Sequence, residues 1–241
     1  RTPSRAEEST TINEAEEAPA PAPPGIFFPV TIMGTNNFKP EKMIAYEVGY
    51  RTEPLKYLSF DATAFWNHYD DLRGQQPTAD PTLIFLSNDL WGDSYGGEIS
   101  ATWRITDWWR LQPSYSYLKT SLHVQPGYLP DNASIALEEG SSPENQFQIR
   151  SSMDLPRDIS FDTTLRYVDH LHFPEAETTF VVPAYFELGA RVAWRINKNW
   201  EVAIVGDNLL HDRHWEFQPT DIQTEATEIP RTIFAEVSFK L

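Results

Sequence analysis

The chain has 241 residues, no cysteine and a formal charge of −16, from 35 acidic and 19 basic side chains. That excess repels a phosphate backbone, and with no basic stripe to offset it a nucleic-acid partner is not expected. The lack of thiols excludes a disulfide framework, thiolate metal sites and cysteine nucleophiles.

The chain opens on Arg1 with no signal-peptide pattern behind it, so we expect a piece of a longer protein. Residues 18–38 form the longest uncharged run, but Pro19, Pro21, Pro23, Pro24 and Pro29 break it, which excludes a transmembrane helix there. This Pro- and Glu-rich opening reads as a loop.

From Tyr46 onward the apolar residues recur with period two, the signature of strands with one apolar and one wet face. Tyr46, Val48 and Tyr50 alternate with Glu47, Gly49 and Arg51; Leu58, Phe60, Ala62, Ala64 and Trp66 alternate with Ser59, Asp61 and Thr63. The pattern returns at Tyr95–Trp103 around Glu98, at Leu111–Tyr117, at Phe147–Met153, at Ile159–Tyr167, at Phe186–Trp194 around Arg191, at Trp200–Ile204 and at Ile233–Leu241. Nine strands are predicted, with little sign of helix. Val192 and Ile204 should share the apolar face, and Arg191 and Glu98 the wet one.

The connections alternate in length. Short ones are expected at Glu53–Lys56, Thr106–Asp107, Pro156–Arg157 and Asn197–Lys198, and long ones at Asp71–Leu90, Ser121–Ser142, Leu171–Val181 and Leu210–Ile229. A transmembrane barrel sorts its connections this way, with short periplasmic turns and long extracellular loops, whereas a soluble sandwich has no reason to. Trp103, Trp109, Trp194 and Trp200 flank two of the short turns on the apolar side, as an interfacial aromatic girdle requires.

Four stretches in order resemble the TonB-dependent outer-membrane receptors. They are Arg1-Thr2-Pro3-Ser4-Arg5; Lys39-Pro40-Glu41-Lys42 followed by Tyr46-Glu47-Val48-Gly49-Tyr50-Arg51; Gly206-Asp207-Asn208-Leu209-Leu210 with His214, Glu216 and Phe217 behind it; and the closing strand from Pro230-Arg231-Thr232. The resemblance implies an all-β fold: an antiparallel portion of about nine to ten strands from a presumed 22-stranded barrel, with residues 1–42 mostly extracellular loop and 43–241 strands and loops. It implies active uptake of a ferric siderophore or a similar scarce nutrient across the outer membrane of a Gram-negative bacterium. The implied partners are outer-membrane lipid, an N-terminal plug and, through it, the TonB complex; neither plug nor TonB box is seen in this sequence. The closing strand departs from the family habit of a terminal aromatic with a glycine five residues earlier, having Leu241 and Glu236 instead.

In such receptors the glutamates of the Tyr-Glu-Val-Gly and following Gly-x-Glu strands pair with plug arginines, which assigns that role to Glu47 and Glu98. Long connections carry recognition on a rigid scaffold, so Gly127, Asp131, Asn132, His211, His214 and Trp215 are the candidate ligand contacts. His170 with His172, and His211 with His214, offer two imidazoles each but no third ligand by spacing, so no metal site or cofactor is expected. Scattered carboxylates without a nucleophile elbow give no hydrolytic site, and no enzyme is expected. A small complete outer-membrane barrel and a soluble carbohydrate-active β domain are the alternatives.

Overall fold

A computed structural model of the chain describes residues 4, 9, 11–17, 27–80, 82–130, 132–174, 179–217 and 227–240. Two strands, β1 (Thr11–Glu17) and β2 (Phe27–Met33), form an antiparallel hairpin ahead of the main sheet. There follow β3 (Lys42–Leu55), β4 (Leu58–Pro77), β5 (Leu83–Thr106), β6 (Trp109–Val124), a helix α1 (Asn132–Gly140), β7 (Asn145–Leu155) and β8 (Ile159–Val168). The chain continues with β9 (Leu171–Pro174), β10 (Thr179–Val182), β11 (Tyr185–Arg195), β12 (Trp200–Asp207), β13 (Arg213–Trp215), β14 (Glu228–Pro230) and β15 (Thr232–Phe239).

The nine predicted strands correspond to β3, β4, β5, β6, β7, β8, β11, β12 and β15, and each pairs antiparallel with the next in that order. The result is a meander whose outermost strands, β3 and β15, each have one neighbour among the described residues. Turns at one end are short, as at Lys56–Tyr57 and Asp107–Trp108. A tight reversal after Leu155 places Arg157 and Asp158 in the left-handed region, at φ 69° and 60°.

Side-chain facing follows the alternation. Val192 lies opposite Ile204, and both are open on the apolar face, 48% and 63% exposed. A water-soluble sandwich would bury such a ladder, whereas a lipid-facing wall displays it. Trp103, Trp109, Trp194 and Trp200 sit at the short-turn end as expected, and Trp108 joins them, its ring stacked 6.2 Å from that of Trp109. Trp200 packs on Phe239 across β12 and β15 at 4.7 Å.

The long connections are more ordered than the sequence suggests. Residues 71–90, read as loop, are for the most part continuations of β4 and β5, with register shifts between Tyr69 and Gly74. The opening loop contains the β1–β2 hairpin, and β2 lies parallel to the upper part of β5, from Thr31 opposite Leu83 to Met33 opposite Phe85. Val30, Ile32, Phe38 and Leu90 are buried at this end. The other loops hold small hairpins, β9–β10 and β13–β14, and the unpredicted helix α1.

Helix α1 is held by its C-terminal turn. Glu139 accepts a hydrogen bond from the backbone N–H of Leu122 at 2.6 Å. Gly140 comes so close to β9 that a Cβ there would fall 1.8 Å from the carbonyl oxygen of His172, which only glycine avoids.

Candidate functional site

The polar face of the wall curls around its side chains. A single cavity of about 250 Å³ is lined by Asp61 of β4, Glu98 of β5, Ser116 of β6, Gln148 of β7 and Arg166 of β8, so five neighbouring strands converge on one space. A second, of about 450 Å³, continues along Arg150, Asp162, Glu187, Arg191 and Asp207. This concave face corresponds to the lumen side of a barrel.

Charges on it are largely cross-linked between strands. Arg51 pairs with Asp61, Arg166 with Glu187 at 2.7 Å, and Arg191 with Glu201 at 2.7 Å and Glu236 at 3.7 Å. The last contact gives Glu236 a use on the wet face, where the family's glycine would have none. Glu98 lies across from Thr63 and Ser116, and Glu47 across from Phe65. Both carboxylates therefore face the lumen with β4 between them, and among the described residues neither has an ion-pair partner. Phe65 lies over Gly96, where a Cβ would meet its ring at 2.7 Å, so the glycine seats an aromatic in the lumen wall.

At the outer end the candidate loop residues separate. Gly127 is exposed, with φ +96° and open space around it, and Asn132 is exposed at the start of α1. Asp131 lies outside the described residues. His211 is half-buried, but His214 is only 8% exposed, and Trp215 packs against the buried pair Leu171 and Val182 beside Leu137. Tyr185 stacks on His214 with ring centroids 4.3 Å apart.

Glu216, quoted in the sequence only as part of a motif, collects the contacts here: its Oε1 accepts from Arg166 Nη2 at 2.6 Å, from the Tyr185 hydroxyl at 3.2 Å and lies 3.1 Å from His214 Nε2. The alternation places Arg166 and Glu187 on the wet face, but nothing local brings Glu216 to them. The imidazoles of His170 and His172 meet edge to face at 4.6 Å, on one side as their spacing suggests, and His170 Nδ1 lies 2.8 Å from Asp169. Among the described residues no group of three or more His, Cys, Asp or Glu side chains is placed to hold a metal ion.

The upper β4–β5 hairpin is tied to the opening segment by a buried acid. Asp71, 5% exposed and in the left-handed region at φ 55°, takes Lys42 Nζ at 2.7 Å and Lys39 Nζ at 3.2 Å. Asn88 spans the same junction, donating to the carbonyls of Asp71 at 2.7 Å and Lys39 at 3.1 Å and accepting from Lys39 N–H at 2.6 Å. The hydrogen bond from Lys42, helped by Lys39, holds the Asp71 carboxyl below its ordinary value despite its burial. Asp71 stands about 35 Å above the Lys56–Tyr57 turn, at ~3.3 Å per residue and a tilt of about 40°, beyond an apolar band ~25 Å tall.

Charge is divided sharply between the two ends. Segments 46–69, 94–118, 145–168, 185–206 and 232–241, which form the wall, carry 11 acids and 11 bases. Among the described residues, the connecting segments opposite the short turns carry 17 acids and 6 bases.

The family described as TonB dependent receptor-like, beta-barrel matches residues 2–209. Among solved structures the chain is similar to the ferric-catecholate import receptor Fiu from E. coli K12, with 21% identity and a TM-score of 0.60 over 85% of this chain and 28% of that one. It is similar also to the FrpB iron transporter from Neisseria meningitidis, at 14% identity and TM-score 0.68 over 87% of this chain and 33% of that one. The siderophore receptor PirA from Acinetobacter baumannii matches at 14% identity and TM-score 0.67 over 95% and 35%. At such identities the likeness is one of fold, and the chain spans about a third of the length of these structures. No curated protein sequence matches it.

Proposed function

Because this chain belongs to the TonB-dependent receptor-like β-barrel family, we propose that it is part of the wall of a receptor that imports a ferric siderophore or a similar scarce nutrient. Its place is the outer membrane of a Gram-negative bacterium. The observation that carries the reading is the two-faced meander: apolar rungs such as Val192–Ile204 outward, and charged, cavity-lined rungs such as Glu98 and Arg191 inward. Such a wall separates lipid from a wet lumen.

In this reading the plug belongs to the rest of the receptor and fills the lumen, with Glu47 and Glu98 facing its arginines; their lumen-side placement without an ion-pair partner among the described residues supports that role. Energy reaches the plug from the TonB complex. Recognition falls to the outer loops, where Gly127, Asp131, Asn132, His211, His214 and Trp215 remain the proposed contributors, Gly127 and Asn132 being the exposed ones among those described.

The test is uptake of radioactive iron, presented as a panel of ferric siderophores, by cells with and without the complete gene under iron limitation. Loss of uptake of one siderophore, restored by the gene but not in cells lacking TonB, is the expected outcome. Unchanged uptake of the whole panel, and of cobalamin, nickel and copper, would sink the importer reading.

A further inference from the structure

We propose that Arg166, Tyr185 and His214 form an oxyanion-binding site on the lumen wall, and that Glu216 of the 207–232 connection is its internal occupant, displaced by a carboxylate, hydroxamate or catecholate oxygen of incoming ligand. The inference rests on the reading of the concave face as the inside of an importer.

Three donors from separate elements converge on one oxygen. Arg166 of β8 reaches Glu216 Oε1 at 2.6 Å, Tyr185 of β11 at 3.2 Å and His214 of β13 at 3.1 Å. With Nε2 protonated, His214 donates as the other two do, and charge-assisted bonds of this kind are the strong ones.

The donors are also held in place by contacts that do not involve Glu216. Arg166 Nε is fixed by Glu187 Oε2 at 2.9 Å, and its guanidinium lies 5.6 Å above the Tyr185 ring. Tyr185 is braced by the His214 ring at 4.3 Å, and the His214 backbone is fixed in turn by pairing with Ile229 across the β13–β14 hairpin. Removing the Glu216 carboxylate would leave a preorganised set of donors rather than a collapsed one.

Access comes from the lumen. Arg166 lines both cavities on the concave face, the one of about 250 Å³ that reaches Glu98 and the one of about 450 Å³ that reaches Arg191. Arg166 is the donor of the three that lines them, so an oxyanion arriving from the lumen meets its guanidinium first and reaches Tyr185 and His214 as Glu216 gives way. The tethered carboxylate competes with it at an effective concentration on the order of millimolar. Since apparent affinity scales with the fraction of sites left open, a site free about a tenth of the time binds about tenfold more weakly than an unoccupied one.

The experiment measures citrate binding to the complete receptor in detergent, with thermal melting as the check on folding. Glu216→Ala is expected to tighten citrate binding about tenfold or more over the parent, and adding Arg166→Gln to abolish the gain. A folded Glu216→Ala protein with unchanged citrate affinity overturns the proposal and leaves Glu216 a structural tie. If Glu216→Ala does not accumulate, Glu216→Asp, which draws the carboxylate back by one methylene, carries the same two outcomes. Iron uptake by whole cells reports separately on the importer reading: uptake intact with no citrate effect refutes the oxyanion site alone.

Discussion

Val192 and Ile204 face each other across β11 and β12 on the apolar side, one residue out of step with Arg191, which bonds Glu201 and Glu236 on the other. A one-residue slip would exchange the two faces. Val192→Arg therefore sets a charge in lipid, at a cost of about 2 to 4 kcal/mol at the bilayer midplane. Ser116→Arg, on the lumen side opposite Glu98, should leave stability within about 0.5 kcal/mol. Urea unfolding in bilayers of the complete receptor separates them; equal midpoints would mean that the faces are assigned wrongly.

Glu47 and Glu98 are expected to matter for the seal and little for the wall. If plug arginines meet them out of water, removing these carboxylates strands charge at about 3 to 5 kcal/mol per broken pair. The Glu47→Ala, Glu98→Ala double variant should then leak small antibiotics into cells at equal receptor abundance. Leak no greater than in the parent would reduce the two to lumen solvation.

Acid should loosen the outer hairpin before it touches the wall. Asp71 titrates lower when folded than its ordinary 3.8, so its contribution is complete above that value and is lost as pH falls through the depressed one. Hydrogen exchange in residues 27–42 should quicken below about pH 4, the ordinary Asp value, and Asp71→Asn should reproduce the effect at neutral pH. Exchange in β11 and β12 serves as the control, and equal acceleration there would rule out a local origin.

The acidic mouth should slow the arrival of anionic ligands, and salt should relieve this. Raising ionic strength from about 0.01 to about 0.15 M shortens the Debye length from ~30 to ~8 Å, so stopped-flow association of an anionic ferric siderophore is expected to accelerate. A rate that falls with salt would place positive charge at the mouth.

The wall was legible because a strand between lipid and water must alternate, and Val192, Ile204, Trp103 and Trp200 report this directly. Above the membrane no lipid faces the strand and the constraint lapses, even where a polar side chain such as Asp71 is buried. That is why Asp71, Gly74 and Pro77, which carry β4 on, read as loop. Helix α1 was missed for a related reason: it is docked by Glu139 to Leu122 and by Gly140 to His172, neighbours distant in sequence that leave no local period. At the site, alternation turned Glu98, Arg166, Glu187 and Arg191 inward, but the burial of His214 and the gathering of Tyr185 and Arg166 around Glu216 depend on how a connection folds back.

The uneven division of charge also bears on how the wall stays the right way round. Among the described residues the outer connections carry 17 acids and 6 bases, whereas the turns at the other end are a few residues long. A charged side chain at the bilayer centre costs about 2.5 to 3.5 kcal/mol or more, so carrying these segments back through lipid would mean desolvating many charges at once. Insertion is thereby a one-way ratchet: once these connections lie on one side of the membrane, the cost of desolvating them bars the wall from inverting.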